Sequence, residues 1–178
     1  FPGLKGADLA AEAGTRERYD WDQPSWVGPN DAHEAAPAAY HVAVYDYGVK
    51  YNILRRLVDC GAKVTVVPPR TPVADVMEMG VDGVLLANGP GDPEPCDYAI
   101  ATCRELIERG FPTLGICLGH QIMGLAAGGK SLKMKFGHHG ANHPVQDVDT
   151  GEVLISSQNH GFAIDETSLP DTARVTHR

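Results

Sequence analysis

From His41 onward the chain alternates short apolar runs with segments whose apolar residues return at helical spacing. Residues 41–46, His-Val-Ala-Val-Tyr-Asp, read as a buried strand, and in the following stretch Val49, Ile53, Leu54, Leu57 and Val58 share one helical face. Gly61 stands where such a helix should stop. The alternation continues with a strand over 63–68, a short helix near 74–79, a strand over 83–88 and a Gly/Pro loop. A helix over 97–110, a strand over 112–116 and a helix over 118–128 complete it. Strand and helix taking turns with short links predict an α/β fold, an open and mostly parallel sheet with helices on both faces. Ligands of such sheets sit beyond the carboxyl ends of the strands, so Tyr45 to Gly48, Asn88 to Asp92, and Cys117 matter most. After Ser131 the pattern becomes a Gly/His loop and then two runs around Asp149-Thr150-Gly151, which predict an antiparallel hairpin near the C-terminal end. Residues 1–38 carry Trp21 and Trp26 but no sustained period of either kind, and read as a connecting segment.

Composition narrows the choice of function. A chain of 178 residues can bury one good core, and 43% hydrophobic with 21% charged residues is ordinary usage for a water-exposed domain. No run approaches the roughly 20 apolar residues of a membrane helix. A net charge of -8 repels phosphate backbones, and no Lys/Arg cluster reverses it locally, so nucleic acid is not an expected partner. Cys60, Cys96, Cys103 and Cys117 lack metal-type spacing and follow no signal peptide; free thiols in a reduced, cytoplasmic compartment are expected. Beginning at Phe1 and ending on Val-Thr-His-Arg, the sequence is expected to be a piece of a longer protein.

Cys117 lies between an apolar strand and a helix in Gly115-Ile116-Cys117-Leu118-Gly119, the G-x-nucleophile-x-G spacing of a nucleophile elbow. A nucleophile on so sharp a turn needs small residues two positions either side, where a Cβ would strike adjoining backbone. The same turn sets the thiol at a helix N-terminus, where free N–H groups favour thiolate and can hold a developing oxyanion. The plainer alternative is a buried structural Cys in a tight turn. A second loop, Asn88-Gly89-Pro90-Gly91-Asp92-Pro93, should share that sheet edge, and its glycines could expose a second oxyanion donor opposite the N–H of Leu118. Its plainer alternative is an ordinary turn.

Asn88-Gly-Pro-Gly-Asp-Pro, Gly115-Ile-Cys-Leu-Gly-His-Gln and Gln158-Asn-His-Gly-Phe, in that order, resemble the class I glutamine amidotransferases. The runs from Lys133 to Val145 and from Tyr45 to Arg55 are similar, within that family, to the small subunits of carbamoyl-phosphate synthetase. The resemblance implies a flavodoxin-like amidotransferase domain over 39–178 and an end of a preceding domain with a linker over 1–38. It further implies hydrolysis of L-glutamine through a thioester on Cys117. Gly91 and Leu118 match the oxyanion donors, and Gly89, Gly91, Leu118, Gln121, Asn159, Gly161 and Phe162 match the substrate-binding positions. Ammonia would pass to a large synthetase subunit, which would hold ATP and Mg; this chain would carry no cofactor.

One departure from the family pattern stands out: no His-Pro-Glu segment, which carries the family's general base, occurs between Gly161 and Arg178. The chain alone is therefore expected to be impaired in turnover, since general acid-base catalysis is worth about a hundredfold to ten-thousandfold. His143-Pro144-Val145 ends in Val, and His120 is read as structural, so neither is assigned as the base. The His138, His139, His143 and His160 group lacks an acidic or Cys partner and is not expected to bind metal. Two alternatives remain open: a non-catalytic docking module for the large subunit, and a sister amidotransferase of anthranilate, GMP or CTP synthesis.

Overall fold

The computed structural model describes residues 3–26, 28 and 37–178. Five strands form the main sheet: β1 (Tyr19–Trp21), β2 (Tyr40–Tyr45), β3 (Ala62–Val67), β4 (Gly83–Leu86) and β5 (Thr113–Gly115), in the order β1-β3-β2-β4-β5. All neighbours are parallel except β1, which pairs antiparallel with β3. The helices are α1 (Ala10–Ala13), α2 (Tyr51–Asp59), α3 (Val73–Glu78), α4 (Asp97–Glu108) and α5 (Leu118–Ala126).

Successive residues of a strand face opposite ways, and in the central strands β2, β3 and β4 both faces are covered, which is why these strands read as nearly continuous apolar runs. Val44, Val64, Val66 and Leu85 pack with Leu54 and Val58 of α2 on one face. Ala43, Tyr45, Val84 and Leu86 pack on the other with Val76 of α3, Leu106 of α4 and Ile122 of α5. Each such Val or Leu, fully buried, contributes about 1.5–3 kcal/mol. From β2 the chain crosses to β3 on one side and later to β4 on the other. The carboxyl ends of β2 and β4 thus flank a topological switch point, where doubly wound sheets bind ligands.

Two segments differ from their sequence reading. The stretch 1–38, read from its lack of period as a connecting segment, supplies α1 and the edge strand β1 among its described residues. Three residues are too few to show a period, and what fixes them is tertiary: Trp21 stacks on Tyr51 at 5.0 Å between ring centroids. The expected Gly/His loop is instead inside a long strand. β6 (Lys130–Gln146) pairs antiparallel with β7 (Val153–Asp165), with register shifts between Lys133 and His138 and between Gly140 and His143. Those irregularities break the alternation that marks a strand in sequence. The turn around Asp149 lies where expected, between β6 and β7. Among the described residues no helix is long and apolar enough to cross a membrane.

Candidate active site

Cys117 joins β5 to α5 with φ 54° and ψ −106°, and is the one non-glycine residue with positive φ among those described. Such a conformation costs on the order of 1–3 kcal/mol and persists only where the surroundings enforce it. The surroundings are the two flanking glycines. A Cβ on Gly119 would lie 2.0 Å from the Leu86 carbonyl oxygen, and one on Gly115 would lie 2.6 Å from the carbonyl carbon of Gly119. The turn is therefore pressed flat against the end of β4. Hydrogen bonds fasten it there: the Ile116 N–H donates to the Leu86 carbonyl and the Gly119 N–H to the Ala87 carbonyl, both at 3.0 Å.

The thiol is open to solvent, unlike the buried Cys96 and Cys103, so the alternative of a buried structural Cys does not hold. The walls around it nevertheless exclude enough water to raise its pKa above the ordinary thiol value. The Leu118 N–H, hydrogen-bonded to the sulfur, and the charge of Lys50 pull the other way. The thiol also faces the Asn159 carbonyl, with sulfur and oxygen 3.9 Å apart. Neither of these hydrogen-bonding groups is a base.

The loop after β4 closes against the elbow. A Cβ on Gly89 would meet the Tyr47 carbonyl oxygen at 2.2 Å and Cδ2 of Leu118 at 2.8 Å, so Gly89 and the start of α5 are in direct apposition. Gly91 takes φ +95°, a conformation that L side chains rarely adopt. Asn88 ties this loop to the one after β2: its Oδ1 accepts from the Lys50 N–H and its amide donates to the Gly48 carbonyl, each at 3.0 Å. Asp46 shapes the β2 loop, accepting the Gly48 and Val49 N–H groups at 2.8 Å each. Asp46 lies in the Tyr45–Gly48 strand end that the sequence marks as important, but sequence assigned no individual role to it or to Lys50; Asp-Tyr-Gly after a strand is turn chemistry that could have pointed to the first.

The remaining predicted residues lie along β7 and α5. Gln121 is 7% exposed and donates to the Phe162 carbonyl at 2.8 Å, fastening α5 to β7. Phe162 is buried, with Lys133 Nζ 5.2 Å from its ring centroid. Gly161 adjoins Lys133, whose Nζ would lie 3.4 Å from a Cβ there. Asn159 presents its carbonyl to the thiol while its Oδ1 pairs with Nδ1 of His139 at 2.8 Å. His160 sets Nδ1 at 2.8 Å from the Phe162 carbonyl and Nε2 at 3.3 Å from Nδ1 of His138. A carbonyl oxygen can only accept, so in that contact Nδ1 of His160 is the donor. The pKa of His120 is lowered, first by burial and then by His160. Among the described residues no group of three or more His, Cys, Asp or Glu is arranged to hold a metal ion.

The family description Glutamine amidotransferase class-I matches residues 43–178. A carbamoyl phosphate synthase small chain from Thioalkalivibrio sulfidiphilus is 62% identical over 179 residues, covering 100% of this chain and 47% of its own length. Its counterpart from Pseudomonas aeruginosa is 59% identical over 181 residues, covering 100% and 48%. The chain thus spans about half the length of the curated relatives it matches. Among solved structures, a putative GMP synthase component from Thermoplasma acidophilum superposes with TM-score 0.62 at 24% identity, over 82% of this chain and 74% of the other. A glutamine amidotransferase from Thermotoga maritima gives TM-score 0.56 at 20% identity, over 82% and 67%. At those identities the likeness is one of fold.

Proposed function

The chain belongs to the class I glutamine amidotransferases, and from that membership we propose that Cys117 cleaves the side-chain amide of L-glutamine to supply ammonia for carbamoyl phosphate synthesis. The observation that carries the chemistry is the elbow itself, a solvent-open thiol at φ 54° with the Leu118 N–H on its sulfur. The sulfur attacks the amide carbon, the carbonyl π electrons move to oxygen, and the resulting oxyanion takes hydrogen bonds from the N–H groups of Leu118 and Gly91. The proton taken from the thiol passes to the amide nitrogen, so that collapse of the intermediate breaks the C–N bond, expels neutral ammonia and leaves a γ-glutamyl thioester. Water then releases glutamate and restores the thiol. Gly89, Gln121, Asn159, Gly161 and Phe162 would line the substrate's amino-acid end. Burial raises the thiol's pKa above its ordinary value, so a base that takes up its proton would assist the attack.

The relatives named carbamoyl phosphate synthase small chain support the destination of the ammonia. The partner would be a large synthetase subunit holding ATP and Mg. The test is synthesis by the intact protein together with such a subunit, fed either glutamine or free ammonia. Cys117→Ser should abolish the glutamine-dependent reaction and leave the ammonia-dependent one. Retained glutamine use by that variant would overturn the assignment.

A further inference from the structure

Residues 6–15 cross the same sheet edge as the loops after β2 and β4 and are fastened there at three places, two of them on those loops and one on Tyr98 of α4 and Arg70. Asp92, next to Gly91, is 1% exposed, and its carboxylate is fully engaged with backbone. Its Oδ2 accepts the Gly6 N–H at 2.8 Å, its Oδ1 accepts the Glu94 N–H at 3.0 Å, and its own N–H donates to the Ala7 carbonyl at 3.2 Å. The second fastening is Asp8, whose Oδ1 accepts from the Ala11 N–H and the Tyr98 hydroxyl, both at 3.1 Å. Its other oxygen lies 3.5 Å from Arg70, which stacks over the Tyr98 ring at 4.0 Å. The third is Asp46, whose Oδ2 accepts the Thr15 N–H at 2.9 Å.

Gly91 sits directly beneath this strap. A Cβ there would lie 2.8 Å from the Ala7 carbonyl oxygen and 3.2 Å from the Leu9 nitrogen, so the strap covers one side of Gly91 completely. An N–H donor serves an oxyanion only if its direction is set before the charge develops. In a loop containing two glycines, that direction is not fixed by local sterics. The reciprocal pair between Asp92 and Gly6-Ala7 supplies the missing constraint one residue away, through a charged acceptor that is stronger than a neutral one.

We propose that Asp92 is a positioning residue for the oxyanion donor of Gly91, and that the Gly6–Thr15 segment acts through it as a strap on the glutaminase site. The proposal rests on the amidotransferase reading of Cys117 and Gly91. It gives the N-terminal stretch a part in catalysis without touching substrate.

The test compares Asp92→Asn and Asp8→Asn with the parent in the intact protein, by glutaminase kinetics and by alkylation of Cys117 with iodoacetamide. Alkylation displaces iodide from carbon and forms no oxyanion, so it reports the thiol alone. Losing an oxyanion donor outright costs roughly a hundredfold to a thousandfold in kcat; misdirecting one through Asp92→Asn should lower kcat by about tenfold to a hundredfold. The KM for glutamine and the alkylation rate should stay within about threefold, because uniform binding and thiol access are untouched. Asp8→Asn, one fastening further along, should give a smaller fall of the same kind. An unchanged kcat in Asp92→Asn, or a fall in kcat matched by equal losses in alkylation and thermal stability, would overturn the proposal. Failure of the underlying reading shows separately: a Cys117→Ser protein that still hydrolyses glutamine, or a parent that never does, removes both.

Discussion

Replacing Gly119 by Ala should force the elbow away from the end of β4. In an unconstrained helix Gly→Ala is stabilising by about 1 kcal/mol, since Ala loses less backbone freedom. Here the new Cβ would sit 2.0 Å from the Leu86 oxygen and 2.6 Å from its carbonyl carbon, both backbone atoms. A carbon and a carbonyl oxygen rest at about 3.3 Å or more, so α5 and the end of β4 must part by roughly an ångström. That separation stretches the bonds from Ile116 N–H to Leu86 and from Gly119 N–H to Ala87, now 3.0 Å each. Two weakened bonds at about 0.5–1.5 kcal/mol apiece, with overpacking of about 1–3 kcal/mol, outweigh the propensity gain and leave a net loss of about 3 kcal/mol. Gly124→Ala in the same helix provides the comparison. Its Cβ would meet Ile164 at 2.6 Å, but those are side-chain atoms that can turn aside, so the loss should be about 1 kcal/mol or less. Urea denaturation with matched slopes measures both. A Gly119→Ala protein as stable as the parent, or a Gly124→Ala protein equally damaged, would refute the argument from backbone contact.

Two further outcomes follow from the charges and thiols. Lys50→Met should slow alkylation of Cys117 at fixed pH, since the lysine charge is one of the influences lowering that thiol's pKa; the effect should be roughly twofold at low salt and vanish at high salt. A rate that is unchanged at low salt would remove Lys50 from the site's electrostatics. Burial pushes the Cys96 thiol up to about 12 and that of Cys103 to about 11, against 9.0 when unburied. The folded chain therefore keeps two protons that the unfolded chain releases near pH 9. Stability is fully present below that pH and falls as pH rises from 9 through 11 and 12. Denaturant midpoints between pH 8 and 11 would show it, and a Cys103→Ala midpoint that fell as steeply would contradict it.

The main sheet was legible because its central strands are buried on both faces: Val42 to Tyr45 and Val84 to Ala87 are apolar runs bounded by polar or glycine residues. β1 was not, because Tyr-Asp-Trp is too short to carry a period and is fixed by Tyr51 and β3, far along the chain. Nor was the full length of β6, where the shifts at His138 and His143 scramble the alternation. The elbow announced itself because both close contacts that demand glycine come from residues at fixed spacing around Cys117. Asp92 and Asp46 also accept backbone N–H groups of a distant segment, those of Gly6 and Thr15, contacts that no local spacing encodes. Gln121 illustrates a mixed case: the family resemblance matches it to a substrate-binding position, while its burial and bond to the Phe162 carbonyl are those of a satisfied polar residue.

The central claim is that Cys117 is the nucleophile of a glutamine pocket, and its most direct test is labelling of the intact protein by a chloroketone analogue of glutamine, with and without excess glutamine. Peptide mapping by mass should find one adduct, on Cys117, suppressed by glutamine and absent in Cys117→Ser, with the other solvent-open thiol, Cys60, unmodified. Labelling that ignores glutamine, or that falls on Cys60 as readily as on Cys117, would contradict it.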